Sequence, residues 1–214
     1  MSKKRRLSRA APEPGNVRII GGRWRNTRLP VADRAGLRPS SDRVRETLFN
    51  WLQPVLPGAR VVDVFAGSGA LGLEAVSRGA ASAHLLEYDA AQVATLHAVV
   101  ARLDAQSQVQ VIKTDALYWL ENAAPSHATI VFIDPPFAAP HLATAAITRL
   151  ERHIDTTKVV WLYLETARAQ VPPLLPAAWQ RYREGYTRQV HYALYRRTAA
   201  TLHPAASHLP TSFL

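Results

Sequence analysis

The sequence predicts an α/β fold of the doubly wound type: a mostly parallel seven-stranded sheet, a C-terminal antiparallel hairpin and a small N-terminal extension. Three observations carry this expectation. From Ala83 to Leu164, strand-sized apolar runs alternate with helix-forming runs, and repeated βα units build a parallel sheet with helices on both faces. The stretch from Val61 to Gly72, VVDVFAGSGALG, passes from a β-branched run through glycines into a helix-forming run, the way such folds open a nucleotide site. Finally, Trp179–Tyr186 and Val190–Arg196 are two strand patterns joined so closely that they must run antiparallel.

Taken in order, residues 1–16 are polar and basic and are interrupted by Pro12, Pro14 and Gly15, so a disordered basic tail is expected. Residues 17–57 form an N-terminal hairpin and helix. Val17–Ile20 reads as a strand, Gly21-Gly22 as a turn and Arg23–Leu29 as a returning strand. Arg23, Arg25 and Arg28 flank Trp24, and basic side chains around an aromatic suit phosphate contacts with base stacking. A core tryptophan beside a solvated arginine face is the competing explanation. Residues 33–41 are loop, and Ser41 is the N-cap expected for a helix from Asp42 to about Gln53. Val44, Leu48, Trp51 and Leu52 share one stripe of that helix, with Arg43 and Arg45 off it. Pro54 and Pro57 end it.

Residues 58–197 are the main domain. Strands are expected at Val61–Phe65, Ala83–Glu87, Val109–Ile112, Ala128–Ile133 and Val159–Leu164. Helices are expected at Ala70–Val76, closed by Gly79, and at Ala90–Leu103, Ala116–Asn122 and His141–His153. Residues 198–214 lack periodicity and read as a loose tail.

Composition narrows the function. The 214 residues are 48% apolar, enough for one domain with an appendage. No apolar run approaches a membrane span, and the basic N-terminus lacks the apolar stretch of a secretory signal. The absence of cysteine excludes disulfides, thiolate zinc sites and a cysteine nucleophile, and fits a cytoplasmic location. The eight histidines show no metal-ligand spacing, so no metal is expected. The net charge of +10 is uneven: residues 1–45 hold 13 Lys/Arg against 3 Asp/Glu, and the remainder holds 13 of each. Such a segmental excess points to a polyanionic partner, though a solubilising tail would look similar.

The chemistry resides in two motifs and a row of acids. Gly67-Ser68-Gly69-Ala70-Leu71-Gly72 fits G-x-G-x-x-G, which dinucleotide oxidoreductases also use. Asp63, at the strand end before it, has two possible roles: ordering the loop or binding a cationic ligand group. Glu87, Asp115 and Asp134 stand at or just past three successive strand ends, the edge where open α/β sheets bind ligands. Glu87 falls about 24 residues after Asp63, near the spacing of an acid that grips a ribose diol. Tyr88 can cover an adenine ring or simply pack, and Asp115 can equally be an N-cap. Asp134-Pro135-Pro136-Phe137 is the most specific element. A carboxylate and a nearby carbonyl can accept both hydrogens of one exocyclic NH₂ while Phe137 stacks on the ring that bears it. That arrangement aims the nitrogen lone pair and stabilises developing positive charge.

These residues resemble a known family. Asp63 to Gly69 resembles motif I of class I S-adenosylmethionine methyltransferases, which have a Rossmann-like fold, and Asp134 to Phe137 resembles their amino-group motif IV. Arg18 to Arg25, Leu37 to Leu52 and Phe65 to Glu74 look like the RsmD family, which methylates the exocyclic N2 of a guanine in bacterial small-subunit (16S) ribosomal RNA. The resemblance spans residues 17–197 and implies S-adenosylmethionine as cofactor, with S-adenosylhomocysteine as product. It implies Ala66, Gly67, Ser68 and Gly69 facing the cofactor's methionine part, Glu87 its ribose hydroxyls, and Asp115 with Ala116 its adenine, with Asp63, Phe65 and Tyr88 also among the cofactor-binding residues. Asp134, Pro135, Pro136 and Phe137 would hold the guanine amine. Arg38, Arg43 and Arg45 would lie near the RNA or the cofactor mouth, and Arg23, Arg25 and Arg28 join them as RNA contacts on the reading of the Trp24 segment given above. The implied partner is the small ribosomal subunit or its rRNA, met by a monomer. Other amino targets stay open at this point, adenine N6 or a protein glutamine among them. So do a nucleotide-binding oxidoreductase and a non-catalytic RNA-binding module.

Overall fold

The computed structural model describes residues 16–30, 41–122 and 127–198. Arg38, the loop around it and most of both tails lie outside the described residues. Two short strands open the chain: β1 (Asn16–Arg18) and β2 (Arg28–Pro30) pair antiparallel as a separate ribbon. Helix α1 (Asp42–Leu52) follows, capped by Ser41, whose Oγ accepts from the Val44 amide at 3.4 Å.

Five parallel strands make the body of the sheet: β3 (Arg60–Asp63), β4 (Ser82–Glu87), β5 (Val109–Lys113), β6 (Ile130–Ile133) and β7 (Val160–Ala167). β8 (Trp179–Tyr186) and β9 (Val190–Arg197) add the antiparallel hairpin. The order is β5-β4-β3-β6-β7-β9-β8, so strand order reverses between β3 and β6. A crevice opens outside the carboxyl ends of the strands at such a reversal. The crossovers are α2 (Ala70–Ser77), α3 (Ala90–Arg102), α4 (Ala116–Asn122) and α5 (His141–His153).

The two faces of the sheet bury separate cores. One gathers Leu48, Leu52, Leu73, Leu96 and Phe132 under α1, α2 and α3, and the other gathers Leu120, Val131, Ile147 and Leu162 under α4 and α5. Val17, Ile19 and Leu29 belong to the first core. The N-terminal segment is therefore packed into the domain rather than appended to it.

Three expectations are corrected. The returning N-terminal strand begins at Arg28, not Arg23, because Gly21 to Asn26 is a turn: Asn26 has φ 69°, and the Arg23 and Trp24 amides donate to Ser77 O and Oγ, both at 2.9 Å. Trp24 is partly buried against the core. Arg45 is fully buried on the inner stripe of α1, where it was expected off that stripe. β7 runs on from Leu164 to Ala167 because β9 pairs with it to the end, Glu165 with Tyr192 and Ala167 with Val190.

Candidate active site

The glycine loop does two jobs. Gly67 and Gly69 have φ of 51° and 76°, a left-handed region that suits glycine, and they turn the chain from β3 into α2. A Cβ added to Gly67 would meet nothing within 4 Å, so the loop backbone faces open space where a ligand can approach. At Gly72 a Cβ would run into Leu85, so this third glycine lets α2 pack against β4.

That open space is a cavity of about 850 Å³ at the carboxyl edge. Phe65, Ala66, Gly67 and Ser68 line one wall, Glu87, Tyr88, Asp115 and Ala116 a second, and Asp134, Pro135, Pro136 and Phe137 a third. The structure thus brings the two motifs and the three edge acids into one site. Gly69 does not line the cavity; it is the left-handed N-cap residue of α2.

Each acid has a distinct environment. Asp63 is 1% exposed, and its Oδ2 accepts the Gly72 amide at 2.9 Å. Of the two roles open to it, the structure shows loop ordering. Burial pushes its carboxyl up to about 7, the Gly72 hydrogen bond opposes this, and the Glu87 charge adds to the rise. Glu87 is half-buried, and its two oxygens accept the Gly67 amide at 3.1 Å and the Asp89 amide at 2.8 Å. Each oxygen keeps a second lone pair for a diol. Asp115 caps the first turn of α4, accepting from the Tyr118 amide at 2.8 Å, while still bordering the cavity. Tyr88 is 76% exposed at the rim.

The Asp134–Phe137 loop is held from outside. Pro136 O accepts the Ala139 amide at 2.9 Å, and Phe137 O accepts Gln170 Nε2 at 2.9 Å. Among the described residues no hydrogen bond reaches the Pro135 carbonyl. The loop therefore carries a carboxylate and, next to it in sequence, a carbonyl without a hydrogen bond among the described residues. Beneath it lies Tyr163, fully buried, whose hydroxyl donates to Glu165 at 2.6 Å. Burial and the charges of Glu165 and Asp134 push the Tyr163 hydroxyl well above its usual value, so it stays a neutral donor.

The chain matches the model of the family described as Conserved hypothetical protein 95 over residues 17–196. Ribosomal RNA small subunit methyltransferase D of Escherichia coli K12 is 46% identical over 185 residues, covering 86% of this chain and 92% of that protein. Its Haemophilus influenzae counterpart is 40% identical, covering 85% of this chain and 94% of that protein. The chain belongs to the ribosomal RNA small subunit methyltransferase D family. The solved structure of yhhF from Escherichia coli superposes with a TM-score of 0.78 at 44% identity, covering 87% of this chain and all of that one. An RNA methyltransferase from Salinibacter ruber, solved with S-adenosyl-L-homocysteine, shares the fold at 15% identity, with a TM-score of 0.55 and coverage of 78% of this chain and 97% of that one. The fold is the Rossmann-like one of methyltransferases.

Within this family frame the arginines separate. Arg45 Nη2 donates to Arg18 O and to Asp42 Oδ1, both at 2.7 Å, and its Nη1 lies 3.7 Å from Glu74. It has no exposed surface to offer RNA, yet it borders the cavity, so of the two places implied for it the structure puts it at the cofactor mouth. Arg23, Arg25 and Arg28 are exposed, but the turn that carries Arg23 and Arg25 is bonded to Ser77, the last residue of α2. The eight residues of α2 put that turn about 12 Å of helix away from the glycine loop, at the opposite edge of the sheet. Arg43 is exposed in the first turn of α1.

Several site residues have no motif to announce them. Gln92 is buried, and its Nε2 donates to Gly67 O at 2.8 Å, fixing the loop from α3. Gln170 fixes Phe137. Glu165, buried within β7, acts behind the site by accepting the Tyr163 hydroxyl at 2.6 Å.

Proposed function

We propose that the chain transfers a methyl group from S-adenosylmethionine to the exocyclic N2 amine of a guanine in small-subunit rRNA. The observation that carries this is the Asp134 carboxylate next in sequence to the Pro135 carbonyl, which accepts no hydrogen bond among the described residues, in the same cavity as the glycine loop and Glu87. The names of the 46% and 40% identical relatives support an rRNA substrate. The cavity fits the cofactor: Gly67 leaves space for its amino-acid end, and Glu87 keeps lone pairs for its ribose. Asp115 and Tyr88 border its adenine side.

S-adenosylmethionine supplies an electrophilic methyl group on a sulfonium sulfur. The protein's part is to make a poor nucleophile attack. An aromatic amine delocalises its lone pair into the ring. Asp134 and the Pro135 carbonyl accept its two hydrogens, draw the nitrogen toward tetrahedral geometry and aim the lone pair. Phe137 stacks on the base. The Asp134 charge faces the positive charge that grows on the nitrogen and receives the proton that it sheds.

The test is single-turnover methylation of reconstituted small subunits, with mass-spectrometric mapping of the modified base. Asp134→Ala should slow the chemical step by about 10²–10³-fold, the effect of losing one preorganised electrostatic partner. S-adenosylhomocysteine affinity should change by less than about tenfold, because Glu87 and the glycine loop carry that binding. A folded Asp134→Ala enzyme working at wild-type rate refutes the mechanism. Methyl found on adenine N6 refutes the guanine assignment and leaves the amine chemistry standing.

A further inference from the structure

The pairing of Ala167 with Val190 sets the β8–β9 turn at the carboxyl edge of the sheet, beside the cavity. Gln189 of that turn lines the cavity, and its carbonyl accepts the Arg168 amide at 2.7 Å. Gln170, two residues on, holds Phe137 O. The hairpin is thus fastened to the loop that faces the amine.

This part of the chain is strongly basic: residues 168–197 hold six arginines and one acid, Glu184. Arg168 and Arg188 stand at the edge itself, both exposed, and neither pairs with a carboxylate among the described residues. Arg168 is ordered by other means. Its guanidinium lies 4.0 Å from the Tyr186 ring centroid, and that ring stacks on His191 at 4.7 Å. The Tyr186 hydroxyl donates to Glu184 at 2.8 Å, and Arg181 meets the same oxygen at 3.0 Å. Down the outer strand β8, Arg181, Tyr182 and Arg183 are also exposed, with Arg183 4.9 Å from the Tyr182 ring. Basic residues interleaved with aromatics are the surface that nucleic-acid backbones prefer. Charges on an edge strand also deter sheet-to-sheet pairing, which accounts for Arg181 and Arg183. It does not account for Arg168 and Arg188, which lie outside the strand.

We propose that the β8–β9 hairpin, with Arg188 in its turn and Arg168 beside it at the end of β7, docks the rRNA phosphates that flank the target nucleotide. This rests on the reading of the cavity as an rRNA amine methyltransferase site. A base delivered into the cavity leaves its own phosphates at the mouth, within reach of guanidinium groups that pair with them bidentately.

The experiment uses the full chain and small subunits purified from cells that lack it. For Arg168→Ala/Arg188→Ala, the slope of log affinity against log salt should flatten by about 1.4–1.8, a little under one unit per lost phosphate contact. Relative to 1 M salt, that slope makes binding at 0.1 M roughly 25–60-fold weaker. KM for the subunit should rise while the single-turnover rate at saturation stays near wild type. S-adenosylhomocysteine binding should be unchanged, which verifies the fold. Arg188→Ala alone, with no described partner to lose, should give about half the slope change. Arg168→Lys/Arg188→Lys should restore most of the slope. Unaltered affinity and slope in the alanine pair overturn the proposal. Weaker binding with an unaltered slope also overturns it and assigns the hairpin to a ribosomal protein. If wild type methylates no small subunits, the reading of the cavity falls, and the docking proposal with it.

Discussion

Glu74 is a buried carboxylate on α2, one turn beyond the glycine loop, and its replacement by glutamine tests how the N-terminal segment is held. Its side chain is fully buried and accepts the Ile20 amide at 2.6 Å, the Gly21 amide at 2.7 Å and Arg78 Nε at 2.6 Å. Arg45, equally buried, lies 3.7 Å away and has Asp42, whose side chain is 60% exposed, as its other acid. Glu74→Gln keeps the shape, removes the charge and turns an NH₂ toward donors that need an acceptor. Each charge-assisted hydrogen bond contributes about 1.5–3 kcal/mol, and breaking a buried pair from one side costs about 3–5 kcal/mol. The two figures describe the same event, so about 3–5 kcal/mol is the expected loss, a large share of a domain's total of about 5–15 kcal/mol. Urea unfolding measures the loss, and hydrogen exchange should show the Ile20 and Gly21 amides losing protection before the central strands do. Arg45→Met on the Glu74→Gln background removes the stranded cation and should recover part of the stability. A Glu74→Gln protein within about 1 kcal/mol of wild type, or a double variant whose losses simply add, refutes the clasp.

Two further predictions concern the cavity. Asp63, with its carboxyl pushed up to about 7 by burial, favours folding in its protonated form. Its stabilising contribution is complete below the unfolded value near 3.8 and is lost as pH rises through 7, at about 1.4 kcal/mol per pH unit in between. Asp63→Asn can still accept from Gly72 without ionising, so it should gain on wild type by about 2 kcal/mol between pH 5 and pH 7. Urea titrations in that range check this, and parallel pH curves would refute it. Glu87→Ala should weaken S-adenosylhomocysteine binding by about 1.5–3 kcal/mol in calorimetry. An unchanged dissociation constant in a folded variant would remove Glu87 from the cofactor site.

Much of this architecture is legible from periodicity alone. α4 and α5 have the expected limits, and β3 to β9 fall within a few residues of theirs, because fully buried strands are apolar throughout and glycine and proline punctuate their ends. The carboxyl-edge rule located Glu87, Asp115 and Asp134 before any contact was known. What was not legible depends on partners distant in sequence. Helix geometry puts Arg45 at i, i+3 and i+7 with Leu48 and Leu52, on the buried stripe, and only its charge argued for the outside; the acid that makes this burial tolerable is Glu74, 29 residues later, which no local pattern reveals. The Gly21–Asn26 turn looks like a strand until Ser77 supplies its acceptors. Gln92 and Gln170 act through backbone carbonyls of remote loops, and a lone glutamine carries no motif.

Charge gives the final step. The balanced 13 and 13 beyond residue 45 hides a division: residues 46–167 hold 7 basic and 12 acidic residues, and residues 168–214 hold 6 and 1. Glu87, Asp89, Asp115 and Asp134 of the middle section all border the cavity. A site lined by carboxylates favours a sulfonium and the positive charge that grows on an attacked amine, and it repels a phosphate backbone. The chemistry and the substrate therefore impose opposite electrostatic demands within one crevice. Separating them in space satisfies both, with acids at the cavity wall around the buried Arg45 and, just outside it, arginines that meet no carboxylate among the described residues. Arg168 and Arg188 occupy that outer position, whereas Arg23 and Arg25 lie at the far edge of the sheet, beyond the Debye length of about 8 Å at physiological salt, and do little to offset the repulsion at the mouth.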